Sequence, residues 1–340
     1  MISRIRNQIL QLMASGEKSV YELIDKQDAS LPEFFNLIQE MEGQGLLSTK
    51  EGKVYLSENA RDKIEGLDLI EEQWCSCCRS TGYRISGSLR QVQQKFEEIA
   101  SERPKAIEEY DQGFISPEDI MRRIAFMYER GDLLDSKIFV VGDDDLFSIA
   151  VALTGLPQKV WVGEIDERLV SFINKVAAEY GLPVEANEFD IQYPLSSELK
   201  GRFDIFVTDP VETLPGLTLF LSRGVSALKG KGCSGYFGLT TLEASRKKWF
   251  EIEKCLHDMG FVITDLRRKF SVYPQTGNNF FRYQEKLPII RKIGSEVDYD
   301  WYKSTFCRVE AVEDPKPVVE DKMILDDEVY RDDESWATPY

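Results

Sequence analysis

Lys137-Ile-Phe-Val-Val-Gly-Asp-Asp-Asp-Leu-Phe-Ser148 decides the fold. Its first five residues form an apolar, β-branched and aromatic run of strand length, and one glycine then opens into three consecutive aspartates. Four runs of the same kind follow: Lys159-Val-Trp-Val-Gly163, Phe203-Asp-Ile-Phe-Val-Thr208, Gly235-Tyr-Phe-Gly-Leu239 and Phe261-Val-Ile-Thr-Asp265. Amphipathic stretches at 146–154, 167–180, 214–228 and 243–259 alternate with them. This alternation predicts an α/β protein. Its sheet is open, mostly parallel and Rossmann-like, of the methyltransferase type, with helices on both faces and a span of 116–309.

Outward from that core the character changes. Residues 1–65 read as three helical stripes followed by Gly45-Leu-Leu-Ser-Thr-Lys-Glu-Gly-Lys-Val-Tyr-Leu-Ser57, two short strands around a turn, which predicts a winged-helix-like domain. Its third helical stripe carries Glu33, Glu40 and Glu42 with no Lys or Arg, the wrong sign for phosphate, so a supporting or dimerising role is expected in place of DNA binding. Residues 66–115 form a connector with Cys75, Cys77 and Cys78 and a polar helix over 88–112. One C-x-x-C pair offers two ligands where zinc takes four, and no metal is expected. Residues 310–340 hold eleven acids against three bases, with prolines at 315, 317 and 339. That composition predicts a flexible acidic tail, either solubilising or ordering as a lid over a cationic substrate.

The whole chain has 340 residues, 42 basic and 59 acidic, and a net charge of −17, which favours cationic partners over nucleic acid or anionic membranes. A single histidine, His257, makes Ser-His-Asp chemistry and multi-histidine metal sites nearly impossible. It stands near a helix C-terminus, where a structural role is expected. No apolar run reaches the roughly 18 residues of a membrane span, and Arg4 and Arg6 occupy the place of a signal peptide's apolar stretch. A cytoplasmic location is the expectation.

In sheets of this type ligands bind at the carboxyl ends of the strands. A nucleotide loop there is normally glycine-rich, so that backbone N–H groups hold a phosphate. Gly142-Asp143-Asp144-Asp145 would instead repel one. Glu164 and Asp166 follow the second run, where such folds hold ribose hydroxyls, and Asp190 stands where they meet the adenine edge. Asp209-Pro-Val-Glu-Thr213 ends the next run, in the position of substrate-amine contacts. An adenosyl ligand with a cationic, carboxylate-free end suits this pocket. Each acid also has a local alternative: Asp143 or Asp145 could simply cap the helix beginning near Leu146. Tyr273, with Tyr236 and Phe270, is an aromatic candidate for cation–π contact with a sulfonium or ammonium, whereas Trp161, Phe172 and Tyr180 read as core.

Gly142-Asp-Asp-Asp145 followed by Asp209-Pro-x-Glu-Thr213 resembles the branched-chain polyamine synthases, over most of the chain. The family usually has a second proline where this chain has Val211, and a glycine-rich segment after its cysteine pair where this chain has Arg79-Ser-Thr. The resemblance implies an aminopropyltransferase with no prosthetic group and decarboxylated S-adenosylmethionine as co-substrate. The acceptor would be the secondary N(4) amine of spermidine, taking one and then a second aminopropyl group, and the protein would be a homodimer. Asp144 or Asp145 is then the natural base. Asp143 and Asp209 would anchor ammonium groups, with Glu212, Thr213 and Tyr273 on the substrate side and Gly142, Glu164, Asp166 and Asp190 on the adenosyl side. Two rival readings remain at this point: a methyltransferase using ordinary S-adenosylmethionine, and a winged-helix regulator that senses a metabolite.

Overall fold

The computed structural model describes residues 2–64, 75, 77–107, 110, 112–274 and 299–335. Part of the connector, including Trp74 and Ser76, and the last five residues lie outside the described residues.

The chain begins with α1 (Ile2–Met13), β1 (Lys18–Ser19), α2 (Val20–Lys26), α3 (Leu31–Gly43), β2 (Leu47–Lys50) and β3 (Lys53–Leu56). The three strands form an antiparallel sheet in the order β1-β3-β2. The α3 helix starts with Pro32 in its first turn and a reciprocal cap between Ser30 and Glu33, so one of its acids is spent on its own N-terminus. Its apolar face, including Phe34, Ile38 and Met41, is buried. Leu31 N–H donates to Leu242 O at 2.7 Å, and Lys303 reaches Asp25 at 2.7 Å, which ties this unit to the larger sheet.

After α4 (Gly87–Ala100) and α5 (Pro117–Glu129) come β4 (Lys137–Val141), α6 (Phe147–Ala152), β5 (Lys159–Glu164), α7 (Glu167–Tyr180) and β6 (Val184–Glu188). Then follow β7 (Ile205–Thr208), α8 (Leu214–Ala227), β8 (Ser234–Leu239), α9 (Arg246–Asp258), β9 (Phe261–Val272) and β10 (Lys303–Ala311). The seven strands run β6-β5-β4-β7-β8-β10-β9. All neighbours are parallel except β10, which is antiparallel to both β8 and β9. Alternation along each strand feeds two cores. Ile138, Val140, Val160, Val162, Ile205 and Val207 belong to the core shared with the N-terminal helices, α5 and α6. Phe139, Val141, Trp161, Phe206 and Phe237 face the other side, with residues of α8 and α9. The Phe206 ring lies so close to Gly235 and Gly224 that a Cβ at either glycine would collide with it.

Two strands escape the apolar-run reading. The edge strand β6 is polar, Val184-Glu-Ala-Asn-Glu188, with one buried residue. The buried β10 carries Ser304, Thr305 and Arg308 among its apolar residues. Arg308 is accommodated by Asp132, at 2.8 Å, and by Ser234 and Thr264.

The acidic C-terminal segment does not hang free, as its composition predicts. Residue 310 belongs to β10, and the chain beyond Ala311 lies along the α8–α9 side. Val312 N–H bonds Gly260 O and Lys316 N–H bonds Met259 O. The buried Arg223 of α8 donates to the carbonyls of Ile191, Gln192, Val319 and Asp321, at 2.9–3.1 Å. The partners are backbone groups, so side-chain composition carries no trace of this docking. A short helix, Asp327–Tyr330, follows, and the Val329 carbonyl accepts the Thr213 hydroxyl. Among the described residues no helix is long and apolar enough to cross a membrane.

Arg223→Met leaves four carbonyls without their donor, at about 1–3 kcal/mol for each buried group left unsatisfied. Limited proteolysis should then cut at Lys316 and Lys322 faster than in the parent protein. Equal rates would show that Arg223 does not hold the segment.

Candidate active site

Strand order reverses between β4 and β7, and the acids predicted from the sequence gather at the carboxyl ends on either side of that point. Gly142 turns the chain out of β4 at φ 71°, a left-handed conformation that favours glycine, and its N–H donates to Gly163 O at 2.9 Å. Asp143 follows with its carboxylate turned inward. It accepts the Ser148 N–H at 3.3 Å and the Ser148 hydroxyl, while its own N–H donates to Glu164 Oε2 at 2.8 Å. The ammonium anchor expected at Asp143 is therefore a capping carboxylate at the start of α6, the local alternative for that residue. Leu146 bears the strain of the turn with φ 57°.

Asp144 and Asp145 are held by the connector. Gly113 N–H donates to Asp144 Oδ2 at 2.8 Å and Ile115 N–H to Asp145 Oδ1 at 2.7 Å. Arg103 donates to the Asp144 carbonyl at 3.0 Å and packs its guanidinium on the Phe114 ring. Facing them is Arg123 of α5, fully buried. It donates to Asp209 Oδ2 at 2.8 Å and to the Ser271 hydroxyl at 2.9 Å, lies 3.7 Å from Asp145 Oδ2, and sits over the Phe306 ring. The Tyr273 hydroxyl reaches the same Asp209 oxygen at 3.4 Å. The other Asp209 oxygen, Oδ1, is buried with no hydrogen-bond partner among the described residues, and it packs against Gly238, where a Cβ would displace it.

On the adenosyl side, Glu164 accepts the N–H groups of Asp143 and Asp166, the latter at 2.9 Å. Asp166 caps α7 and takes Arg168 and the Gln112 amide at 2.8 Å. Asp190 accepts Gln192 N–H at 3.0 Å, beyond β6. On the other side, Glu212 receives the Thr240 N–H at 2.7 Å and hydroxyl at 2.6 Å, and Thr213 caps α8. Sequence reading missed the residues around Glu212. Glu243 accepts Tyr302 OH at 2.6 Å and Ser335 OH at 2.8 Å. The buried Lys248 binds the carbonyls of Glu212 and Glu243 and reaches Asp332 at 2.7 Å. Ser245 N–H donates to Glu334 at 2.7 Å. Arg123 was the other omission. Its signal was a pair of arginines inside the apolar helix Ile120-Met-Arg-Arg-Ile-Ala-Phe126, where an unpaired charge would not be tolerated.

Tyr236 and Phe270 are core residues. Tyr236 donates to Asp132 and accepts from Arg308, and Phe270 stacks on Phe306. His257 sits in the last turn of α9.

Burial and mutual repulsion push the carboxyl groups toward their neutral forms. Asp144 is raised to about 8 by burial and by the charges of Glu164 and Asp209. Asp143, Asp145 and Glu164 also rise, in each case mainly through burial. Glu212 reaches about 8 through burial and the charge of Glu243, which is itself raised by burial. Asp166 goes the other way. Burial is its largest influence, but hydrogen bonds from Arg168 and Gln112 outweigh it and lower its value. The site is thus a cluster of buried acids whose charge is held down by their surroundings.

The Branched-chain polyamine synthase A C-terminal domain family matches residues 91–337. The chain belongs to this family. The N(4)-bis(aminopropyl)spermidine synthase of Thermococcus kodakarensis is 36% identical, over 98% of this chain and 94% of its own length. That of Methanocaldococcus jannaschii is also 36% identical, over 94% and 90%. The crystal structure of the branched-chain polyamine synthase from Thermus thermophilus, in complex with N4-aminopropylspermidine and 5′-methylthioadenosine, superposes with a TM-score of 0.83 at 32% identity, covering 98% of this chain and 93% of that one. The Gly-Asp-Asp-Asp loop and the acids facing it therefore lie within a synthase fold.

The raised Asp144 value has a consequence for stability. Between the ordinary value of 3.8 and about 8 the folded chain keeps a proton that the unfolded chain has lost. This stabilisation is complete below the unfolded value and disappears as pH rises through the folded one. The thermal midpoint of the ligand-free protein should fall across that window, and less steeply in Asp144→Asn. Parallel profiles for the two proteins would refute a raised value at this residue.

Proposed function

We propose that this protein transfers aminopropyl groups from decarboxylated S-adenosylmethionine to the secondary N(4) amine of spermidine, giving N(4)-bis(aminopropyl)spermidine and 5′-methylthioadenosine. The observation that carries the reading is the convergence of Asp144, Asp145 and Asp209 at the switch point of a synthase-family sheet, with one Asp209 oxygen buried and unpartnered among the described residues. The net charge of −17 suits a polycationic substrate. The homologous Thermus enzyme holds N4-aminopropylspermidine and 5′-methylthioadenosine in its crystal structure.

In the first transfer the N(4) lone pair attacks the carbon next to the sulfonium. The C–S bond breaks, and its electron pair leaves with sulfur as the neutral thioether of methylthioadenosine. The proton on N(4) passes to Asp144 or Asp145, and a carboxyl near neutrality is matched to that task. Asp209, oriented by Arg123 and Tyr273, binds an ammonium of the acceptor, and the loop of Glu212 and Thr213 borders the same side. The adenosyl group lies along Gly142, Glu164, Asp166 and Asp190. In the second transfer N(4) is tertiary and carries no proton, so the same carboxylates stabilise the developing quaternary ammonium. A donor carboxylate would meet Asp144 and Asp145, which favours the decarboxylated donor over ordinary S-adenosylmethionine. The same reading makes the protein a cytoplasmic homodimer with no affinity for nucleic acid, which light scattering and a low-salt gel shift would check.

Purified protein, spermidine and decarboxylated S-adenosylmethionine should yield mass increments of one and then two aminopropyl units. Methyl transfer from ordinary S-adenosylmethionine in their place would sink the proposal. Loss of a general base typically costs about 100- to 10,000-fold, so Asp144→Asn or Asp145→Asn should lose that much in kcat for the first transfer. Asp209→Asn, in contrast, should chiefly raise KM for spermidine, and an unchanged KM would remove Asp209 from the acceptor site.

A further inference from the structure

Half of the chain's six cysteines fall within four positions, at 75, 77 and 78, outside the acidic cleft. Their Sγ atoms converge: all three lie within 4.8 Å of one another, and those of Cys75 and Cys77 are 3.0 Å apart. None is in a disulfide, and Cys75 and Cys77 are exposed while Cys78 is buried. The turn that gathers them closes on itself. Cys78 N–H bonds the Cys75 carbonyl at 3.4 Å, Cys75 N–H bonds the Ser80 hydroxyl at 3.0 Å, and the Cys78 carbonyl accepts the Thr81 N–H and hydroxyl. Three sulfurs this close together, two of them on exposed residues, suit a thiophilic cation. Tetrahedral zinc, with Zn–S near 2.3 Å, separates its thiolates by about 3.8 Å. That spacing falls within the spread of this cluster.

We propose that Cys75, Cys77 and Cys78 form a zinc-binding site, three thiolates with solvent in the fourth position. The sequence expectation of no metal rested on counting one C-x-x-C pair. It left out Cys77, which the turn brings to the same side. The turn that carries the site lies against the catalytic unit, where the next residue, Arg79, pairs with the buried Asp119 of α5. Asp119 in turn accepts the Val272 N–H at 2.9 Å, one residue before Tyr273, and α5 carries Arg123. An ion that orders this turn would also order Arg79, the residue that reaches the helix positioning Asp209, and it takes no part in the transfer chemistry.

The full-length protein, reduced and stripped of metal, should take up Co2+ stoichiometrically, with a thiolate-to-cobalt charge-transfer band in the near ultraviolet. Cys75→Ser and Cys77→Ser should each weaken or abolish that band. Both residues are exposed, so these variants should fold even where Cys78→Ser does not. Cys255→Ser, on α9, should leave it unchanged. In the parent protein Zn2+ should protect 75, 77 and 78 from alkylation by iodoacetamide, read by peptide mass, and should raise the thermal midpoint. Cobalt uptake without the charge-transfer band, a band untouched by Cys77→Ser, or a disulfide among these residues that persists in the reduced protein would overturn the proposal.

Discussion

The structure depends on crowding of like charge. Asp143, Asp144, Asp145, Glu164 and Asp209 meet at the ends of adjoining strands, and Asp143, Asp145 and Glu164 are buried there. Such a cluster survives only if its charges are neutralised, paired or protonated. All three solutions are present. Arg123 is buried among the carboxylates as a permanent cation. Backbone N–H groups of Gly113, Ile115, Ser148 and Asp166 point at carboxyl oxygens. Burial holds Asp144 near neutrality, at about 8. What remains after this compensation is the negative charge that the proposed reaction assigns to a polycationic acceptor.

The compensating groups explain why the chain is wrapped as it is. The connector crosses the Gly-Asp-Asp-Asp loop because its backbone supplies donors to Asp144 and Asp145, and its Gln112 reaches Asp166. The C-terminal segment returns to the end of β8 because Lys248 and Ser245 meet Asp332 and Glu334 there, and Ser335 meets Glu243. Its acids add negative charge beside Glu212 and Glu243 while docking it. The acidic composition of the segment and its docked position are thus two aspects of one electrostatic arrangement.

The sheet was legible because β4, β5, β7 and β8 are nearly continuous buried apolar runs, as expected of central strands covered on both faces, and because β9, an edge strand, opens on the apolar Phe261-Val-Ile. The two that were missed break that rule for reasons visible only in place. The β6 strand is a polar edge, and β10 buries Arg308 against Asp132, a residue far away in sequence. The site was legible to the same extent. Acids directly after strands could be placed from order alone, and Asp144, Asp145 and Asp209 do converge. Asp143 could not be told from its neighbours, because a capping carboxylate and a substrate carboxylate look identical in sequence.

The sequence by itself determined the α/β class, the position of the acidic loop at a strand end and the sign of the charge the cleft can accept. These follow from local periodicity and from side-chain identity. Only the tertiary structure decided which carboxylates are spent on the protein and which are left for a ligand. That choice rests on Ser148, Arg123, Thr240 and Tyr302, which meet their acids across separations of 5, 86, 28 and 59 residues. A hydrogen bond between distant elements has no periodic signature, so the roles of the acids emerge only once the chain has closed around them.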